Sequence, residues 1–266
     1  MKLGFIGAGN MGGAIIKGYI ASGAGGAKSV TVFDRDAEKL SAFAAETGVT
    51  AAQSIAALAG LSDAIVLAVK PNNFEEVLPE LAAAPLGERL LISMAAGVSI
   101  AHIEGFLGGN AKIIRIMPNT PAMVGAGMTA VSRNKHVRDA EFERALGIFA
   151  SVGRAEPVDE ALMHTVTGVS GSSPAYAYIF IDALAKCAAE EGMDAVQARV
   201  FAAQAVLGAA KMVLETGVDP LTLRQNVCSP GGTTIEAVNV LLRNGFEDNI
   251  AEAMRACIEK SKRLAK

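Results

Sequence analysis

Three glycines near the start of the chain are spaced as in a turn that binds phosphate. The run Gly7-Ala8-Gly9-Asn10-Met11-Gly12 lies between an apolar, strand-like segment and an amphipathic, helix-like segment. In this context the first glycine permits a tight turn, the second admits a ligand close to the backbone, and the third lets helix and strand pack. The helix N-terminus then offers N–H groups to a pyrophosphate, so the sequence predicts dinucleotide binding here.

An acid after the second predicted strand supports this interpretation over the alternative of a purely structural turn. Asp34 follows Val30–Phe33, about 20 residues beyond the last glycine, where a ribose-binding carboxylate is expected. Its carboxylate would accept hydrogen bonds from a ribose diol and repel a 2′-phosphate, which favours NADH. The neighbouring Arg35 either turns toward a 2′-phosphate, which favours NADPH, or is a solvated charge. The cofactor is therefore predicted to be NADPH or NADH.

Two proline-containing turns end later strands. They are Ala68-Val69-Lys70-Pro71 and Met117-Pro118-Asn119-Thr120-Pro121. Ligands of open α/β sheets bind at the carboxyl ends of the strands, and proline leaves backbone carbonyls unpaired. We therefore expect the second turn near a nicotinamide, with the Asn119 side chain as an added donor and acceptor. The alternative is an ordinary proline turn.

The second half holds two further segments rich in small residues. Thr167–Pro174 is predicted to be a loop between helices, equally suited to packing or to ligand contact. In the segment Cys228–Glu236, Gly231 and Gly232 can present consecutive N–H groups to a small carboxylate. Thr233 and Glu236 have the spacing of a capping box, which leaves the Thr234 hydroxyl uncommitted.

Composition excludes several classes of protein. The chain has 24 basic and 27 acidic residues without long runs of one sign, which disfavours nucleic-acid and membrane-surface partners. No apolar stretch approaches the ~18 residues of a spanning helix. His102, His136 and His164 lack metal-ligand spacing, so no metal is expected. Three scattered cysteines indicate a reducing compartment, and we expect a cytoplasmic protein.

The predicted elements place these motifs in two domains of the 266-residue chain. Residues 1–157 alternate strands and helices, which predicts an α/β, doubly wound, parallel Rossmann-type sheet. Residues 158–266 read as a smaller, all-helical domain. The predicted strands are 3–6, 30–33, 64–69, 90–93, 112–117 and 128–132, and the helices are 11–22, 36–47, 53–60, 73–84, 99–107, 138–150, 159–167, 174–191, 195–215, 219–226, 233–243 and 246–264.

Taken together, the motifs resemble those of the pyrroline-5-carboxylate reductases. The matching segments are GFIGAGNMG at 4–12, AVKP at 68–71, AAGV at 95–98, IIRIMPNTP at 113–121, TGVSGSSPAY at 167–176, AAKMVLETG at 209–217 and VCSPGGTTIEAV at 227–238. The resemblance runs through the whole chain. It implies that hydride passes from the nicotinamide to the imine carbon of L-1-pyrroline-5-carboxylate and gives L-proline, in a homodimer that can assemble further into rings.

The resemblance also implies roles for individual residues. Lys70 would lie near the nucleotide, and Met117, Pro118 and Asn119 near the nicotinamide. The substrate carboxylate and ring nitrogen would be received by Ser229, Gly231, Gly232, Thr233 and Thr234, with the Thr234 hydroxyl or a water bonded to the ring nitrogen. Similar enzymes that prefer NADPH often carry a small hydroxyl or amide residue at the position of Asp34.

Two alternatives to this function stay open on the sequence. One is another NAD(P)-dependent imine or β-hydroxyacid oxidoreductase, for which Lys186 lacks the surrounding glycines that the β-hydroxyacid dehydrogenases carry. The other is a non-catalytic dinucleotide-binding protein, which the intact Pro230–Thr234 run disfavours.

Overall fold

The computed structural model describes residues 1–265, and the chain forms two compact units. The first unit comprises Met1–Ser172 together with the chain from Cys257 onward, and the second comprises Ser173–Ala256. The sequence places its boundary earlier, at residue 157, because the strand signals stop there. In the structure, the segment up to Ser172 and the last turns of the final helix make most of their contacts within the unit that contains the sheet.

Within the described residues, the first unit is built on one eight-stranded sheet of order β3-β2-β1-β4-β5-β6-β7-β8. Its pairings are parallel except for β6 with β7, which are antiparallel. This confirms the predicted doubly wound Rossmann-type sheet and corrects the expectation that it is parallel throughout. The strands are β1 Leu3–Ile6, β2 Val30–Phe33, β3 Thr50–Ala51, β4 Ala64–Leu67, β5 Leu90–Ser93, β6 Lys112–Met117, β7 Gly127–Arg133 and β8 Gly153–Pro157.

Helices cover both faces of this sheet. Alternate residues of the central strands face opposite sides, so Phe5 and Val66 enter one apolar cluster while Ile6 and Leu67 enter the other. Strands buried on both faces read as continuous apolar runs, which is why the sequence predicts them well. The helices are α1 Asn10–Ala21, α2 Ala37–Thr47, α3 Ile55–Leu61, α4 Phe74–Ala82, α5 Ile100–Leu107 and α6 Asp139–Ala150.

The antiparallel strand follows from a short connection. Between β6 and β7 the chain has room only for a 3₁₀ turn, Thr120–Val124, whereas a parallel return needs a crossover of a dozen or more residues. The edge strands β3 and β8 are absent from the sequence-based prediction. Both are largely exposed, so neither carries a strong apolar pattern.

The rest of the chain is helical, as predicted. The elements are α7 Met163–Val166, α8 Ser173–Glu190, α9 Ala195–Thr216, α10 Pro220–Val227, α11 Thr233–Arg243 and α12 Phe246–Arg263. The expected loop at 167–174 is wrong in its first part, because Thr167–Gly171 is a π-helical turn continuous with α7. Its Thr167 and Ser170 hydroxyls donate to carbonyls one turn back, at 2.8 and 3.2 Å. Across residues 1–265, no helix combines the length and apolar character needed to cross a bilayer.

Candidate functional site

The turn between β1 and α1 has the backbone geometry that its first glycine predicts. Gly7 has φ 102°, a conformation that side-chain-bearing residues rarely adopt. A Cβ atom there would lie 2.7 Å from the Ala68 carbonyl oxygen. The Gly7 N–H donates to the carbonyl of Phe33 at 2.7 Å. The turn is therefore fixed between the carboxyl ends of β2 and β4.

The other two glycines of the turn differ in what surrounds them. A Cβ atom on Gly12 would lie 2.9 Å from both the Ala68 Cβ atom and the Gly7 carbonyl oxygen, so this glycine serves helix packing. A Cβ atom on Gly9 would meet nothing within 4 Å. Gly9 is also the N-cap of α1, and no side chain caps the helix. Space for a ligand therefore lies over free N–H groups at this helix start.

Asp34 is tied into the same turn. Its Oδ2 atom accepts from the Ala8 N–H at 2.8 Å and from Lys39 Nζ at 2.9 Å, and its Oδ1 atom accepts from the Asp36 N–H at 3.1 Å. Burial alone would raise the pKa of Asp34, but these hydrogen bonds and the Lys39 charge lower it below the ordinary value. Asp34 is thus an ionised carboxylate that also positions the glycine turn.

A cleft of about 400 Å³ opens beside these residues. It is lined by Asp34, Arg35 and Lys39 on one side and by Ala68, Val69, Lys70 and Asn73 on another. Lys39 and Asn73 are lining residues that sequence reasoning missed. Lys39 lies in the first turn of α2, five residues after Asp34, a spacing that could have drawn attention to it. The cleft has the glycine turn, the acid and cations that a dinucleotide needs.

Asn119 is buried and its amide is occupied by the protein. Its Oδ1 atom accepts from the Met128 N–H at 2.8 Å, and its Nδ2 atom donates to the Ser170 carbonyl at 3.0 Å. The side chain therefore joins the β6–β7 connection to the π-helical turn. Met117 and Pro118 before it are also buried. Both amide atoms of Asn119 are thus bonded within the protein, and they hold the Met117–Pro118 backbone in place.

The segment Ser229–Thr234 of the second unit forms a tight turn before α11. Gly231 has φ 74°, and the Gly232 N–H donates to the Ser229 carbonyl at 3.0 Å. A Cβ atom on Gly232 would lie 2.4 Å from the Ser229 Oγ atom, so a side chain there would require the Ser229 hydroxyl to rotate away, whereas the positive φ of Gly231 itself favours glycine. The expected capping box is wrong, because the N-cap is Gly232 and no side chain caps the helix. Thr233 is instead the first residue of α11.

The hydroxyls of this turn are available. Ser229, Thr233 and Thr234 are exposed, and none of the hydrogen bonds among residues 1–265 uses their side chains. The first N–H groups of α11 also lack intrahelical partners. Backbone and hydroxyl donors therefore converge at a helix start, where an anion is favoured.

The described residues contain no cluster of three or more His, Cys, Asp or Glu side chains that could hold a metal ion. His164, one of the three histidines that lack metal-ligand spacing, contacts the Ser261 Oγ atom through Nδ1 at 2.9 Å. Burial lowers the pKa of His164, and the charges of Arg115 and Lys262 lower it further. These surroundings favour the neutral form of the imidazole.

Two family models match the chain. Residues 160–264 match the model described as pyrroline-5-carboxylate reductase dimerisation. Residues 2–97, which contain the glycine turn and the cleft, match the model described as NADP oxidoreductase, coenzyme F420-dependent.

Whole proteins and solved structures match along the full chain. Pyrroline-5-carboxylate reductase of Escherichia coli is 48% identical over 100% of this chain and 98% of its own length. The Methanosarcina acetivorans protein of that name is 39% identical with the same coverage. A pyrroline-5-carboxylate reductase structure from Coxiella burnetii has a TM-score of 0.93 at 37% identity, covering 100% of this chain and 98% of that one. A Plasmodium falciparum pyrroline carboxylate reductase with NADP bound has a TM-score of 0.90 at 31% identity, with the same coverage.

Proposed function

The chain belongs to the pyrroline-5-carboxylate reductase family, and from that membership we propose how its residues reduce L-1-pyrroline-5-carboxylate to L-proline. It is an NADP-dependent oxidoreductase, and the reaction is the proline-forming step of proline biosynthesis. The nicotinamide supplies the hydride. What the protein must add is binding, orientation and exclusion of water.

The cofactor's pyrophosphate lies over Gly9 and the N-terminus of α1 in this proposal. Open space at Gly9, next to packed glycines on either side, is the observation that supports it most strongly. Asp34, Arg35, Lys39 and Lys70 hold the adenosine end in the cleft. The backbone at Met117–Pro118, fixed by the buried Asn119 amide, lies along the nicotinamide.

The substrate carboxylate binds to the Ser229–Thr234 turn. A planar carboxylate needs several donors, and this turn offers free backbone N–H groups with three hydroxyls. The Thr234 hydroxyl, or a water, donates to or accepts from the ring nitrogen. A protonated cyclic imine is already electrophilic, so alignment of the two reacting carbons supplies most of the catalysis. No strong general acid is required of the protein.

The direct test is oxidation of NADPH and of NADH at 340 nm, with and without pyrroline-5-carboxylate. We expect oxidation that depends on the imine, with L-proline formed in equal amount to the cofactor oxidised. Oxidation that does not require the imine, or that yields no proline, would contradict the proposal.

We propose that the active species is a homodimer formed through the helical part of the chain, and that it can assemble further into rings. Apolar side chains on α8 and α9 are exposed, among them Ile179 at 71% and Phe201 at 62%. Exposed apolar area of this kind is typical of interfaces. The match to a dimerisation model over residues 160–264 supports the same assignment.

This assembly predicts a mass of about twice 27.3 kDa, or a multiple of that, in light scattering at micromolar concentration. Phe201→Glu should place a charge in the interface and give monomers. Leu61→Glu is the matched control, since Leu61 is exposed on α3 of the sheet unit. A fully active wild-type monomer would contradict the proposal.

Replacement of Asp34 should shift cofactor preference. Asp34→Ser removes the charge that opposes a 2′-phosphate and an acceptor for the ribose diol, so kcat/KM with NADPH relative to NADH should rise about tenfold. Asp36→Ser is the control, because Asp36 caps α2 through Lys39 N–H and serine is also a good cap. An unchanged ratio in Asp34→Ser would show that the carboxylate acts only on the turn.

We also propose a cytoplasmic location. Its support is that Cys187, Cys228 and Cys257 are all free thiols, as is usual in a reducing compartment.

A further inference from the structure

Glu76 is an acidic residue whose partner lies at the cofactor cleft. It sits in the first turn of α4, far from the glycine turn in sequence. Its carboxylate accepts a hydrogen bond from the guanidinium of Arg35 and forms an ion pair with it. Both side chains are more than half exposed, so the pair forms on the surface next to the cleft.

Arg35 is the residue of the cleft best suited to meet a 2′-phosphate. It directly follows Asp34 at the carboxyl end of β2, and it lines the cleft with Lys39 and Lys70. A guanidinium binds phosphate in a bidentate manner. Contact with Glu76 raises the pKa of Arg35, and the nearby charge of Glu80 raises it further. The cation is therefore engaged with α4 before any phosphate arrives.

Lys39 is engaged in the same way. Its ammonium donates to Asp34 at 2.9 Å, so two of the three cations lining the cleft have a carboxylate partner. A 2′-phosphate must compete with these carboxylates for its donors. NADH has no 2′-phosphate, and its binding does not depend on releasing Arg35.

We propose that Glu76 is a specificity-determining residue that lowers the preference for NADPH over NADH by competing with the 2′-phosphate for Arg35. The proposal rests on the proposed function, because it requires the adenosine end of the cofactor to lie in this cleft. Glu76 acts through Arg35 and touches no part of the cofactor. Because exposed ion pairs are weak, the expected change is about two- to fivefold.

The test compares Glu76→Gln with Glu80→Gln. Glutamine keeps the shape of residue 76 and removes its charge, so the ratio of kcat/KM with NADPH to kcat/KM with NADH should rise about two- to fivefold. Glu80→Gln removes a charge from the same helix; Glu80 is near Arg35 but has no hydrogen bond to it, so this variant should change the ratio less than Glu76→Gln does. Equal ratios in wild type and Glu76→Gln would overturn the proposal.

A double-mutant cycle assigns the effect to Arg35. In the Arg35→Met background, Glu76→Gln should change the ratio no further, and a change as large as in wild type would overturn the proposal. Calorimetry with 2′,5′-ADP and 5′-AMP gives a readout without catalysis. Glu76→Gln should strengthen the binding of 2′,5′-ADP relative to that of 5′-AMP. If it does not, the role of Glu76 is contradicted but the proposed cofactor site is not. If neither nucleotide binds wild type, the proposed cofactor site itself is wrong.

Discussion

Gly9→Ala is expected to weaken binding of NADPH and NADH by about ten- to a hundredfold while leaving the fold intact. Gly9 has φ −70° and ψ −178°, an extended conformation that any residue adopts. The added methyl group meets nothing within 4 Å in the protein. It would occupy the space assigned to the pyrophosphate, so the cost arises only when the cofactor binds.

The measurement is cofactor affinity by fluorescence titration, with the melting temperature recorded for each variant. Gly26→Ala is the matched control, since Gly26 also has extended backbone, open space and an N-cap position, but starts a 3₁₀ turn away from the cleft. It should keep wild-type affinity. Gly9→Ser adds bulk with a good N-cap side chain, so loss of affinity without loss of stability should recur there. Wild-type affinity in both Gly9 variants would exclude a pyrophosphate from this turn.

The backbone conformation and close packing of the glycine turn explain why the proposed cofactor site can be predicted from sequence. The glycine turn depends on backbone conformation and on packing against neighbours fixed by the sheet. Position 7 requires a positive φ, and position 12 has no room for a Cβ atom. Glycine meets both requirements, so both can be recognised in the sequence. The central strands likewise leave continuous apolar runs, and the predicted bounds of β1, β2, β5 and β6 are confirmed residue for residue.

Contacts between distant residues leave no comparable signal. The Asn119 amide meets Ser170 across 51 positions, and Arg35 meets Glu76 across 41. Side-chain type suggests that these residues bind something, but the partner depends on how elements pack. For this reason Asn119 reads as a ligand contact in sequence, whereas its amide in the structure secures a turn.

The residues that start a helix are predicted from sequence less well than the glycine turn but better than contacts between distant residues. The Thr233-to-Glu236 spacing fits a capping box, yet the tight Ser229–Gly232 turn starts α11 so that Gly232 is the N-cap. Asp36 shows the opposite outcome, since its own side chain caps α2 by accepting from the Lys39 N–H at 3.0 Å. A one-residue shift in where the chain turns decides whether a hydroxyl caps its own helix or faces solvent.

The shift frees the Thr233 hydroxyl, and the Thr234 hydroxyl stays without a partner as predicted, so Thr234 is the substrate contact to test. Thr234→Val keeps the shape of the side chain and removes a hydroxyl that has no hydrogen bond within residues 1–265. Hydrogen bonds to charged groups contribute about 1.5–3 kcal/mol. We therefore expect kcat/KM for the imine to fall about ten- to a hundredfold, with cofactor affinity and melting temperature unchanged.

Thr222→Val is the matched control for this experiment. Thr222 is also an exposed threonine in the first turn of a helix, α10, and its hydroxyl has no partner among the described residues. It should keep both kcat/KM and stability. If Thr234→Val behaves like Thr222→Val, the substrate does not bind this hydroxyl. If it lowers the melting temperature and leaves kcat/KM intact, the turn serves the fold, and the carboxylate must be bound by other donors.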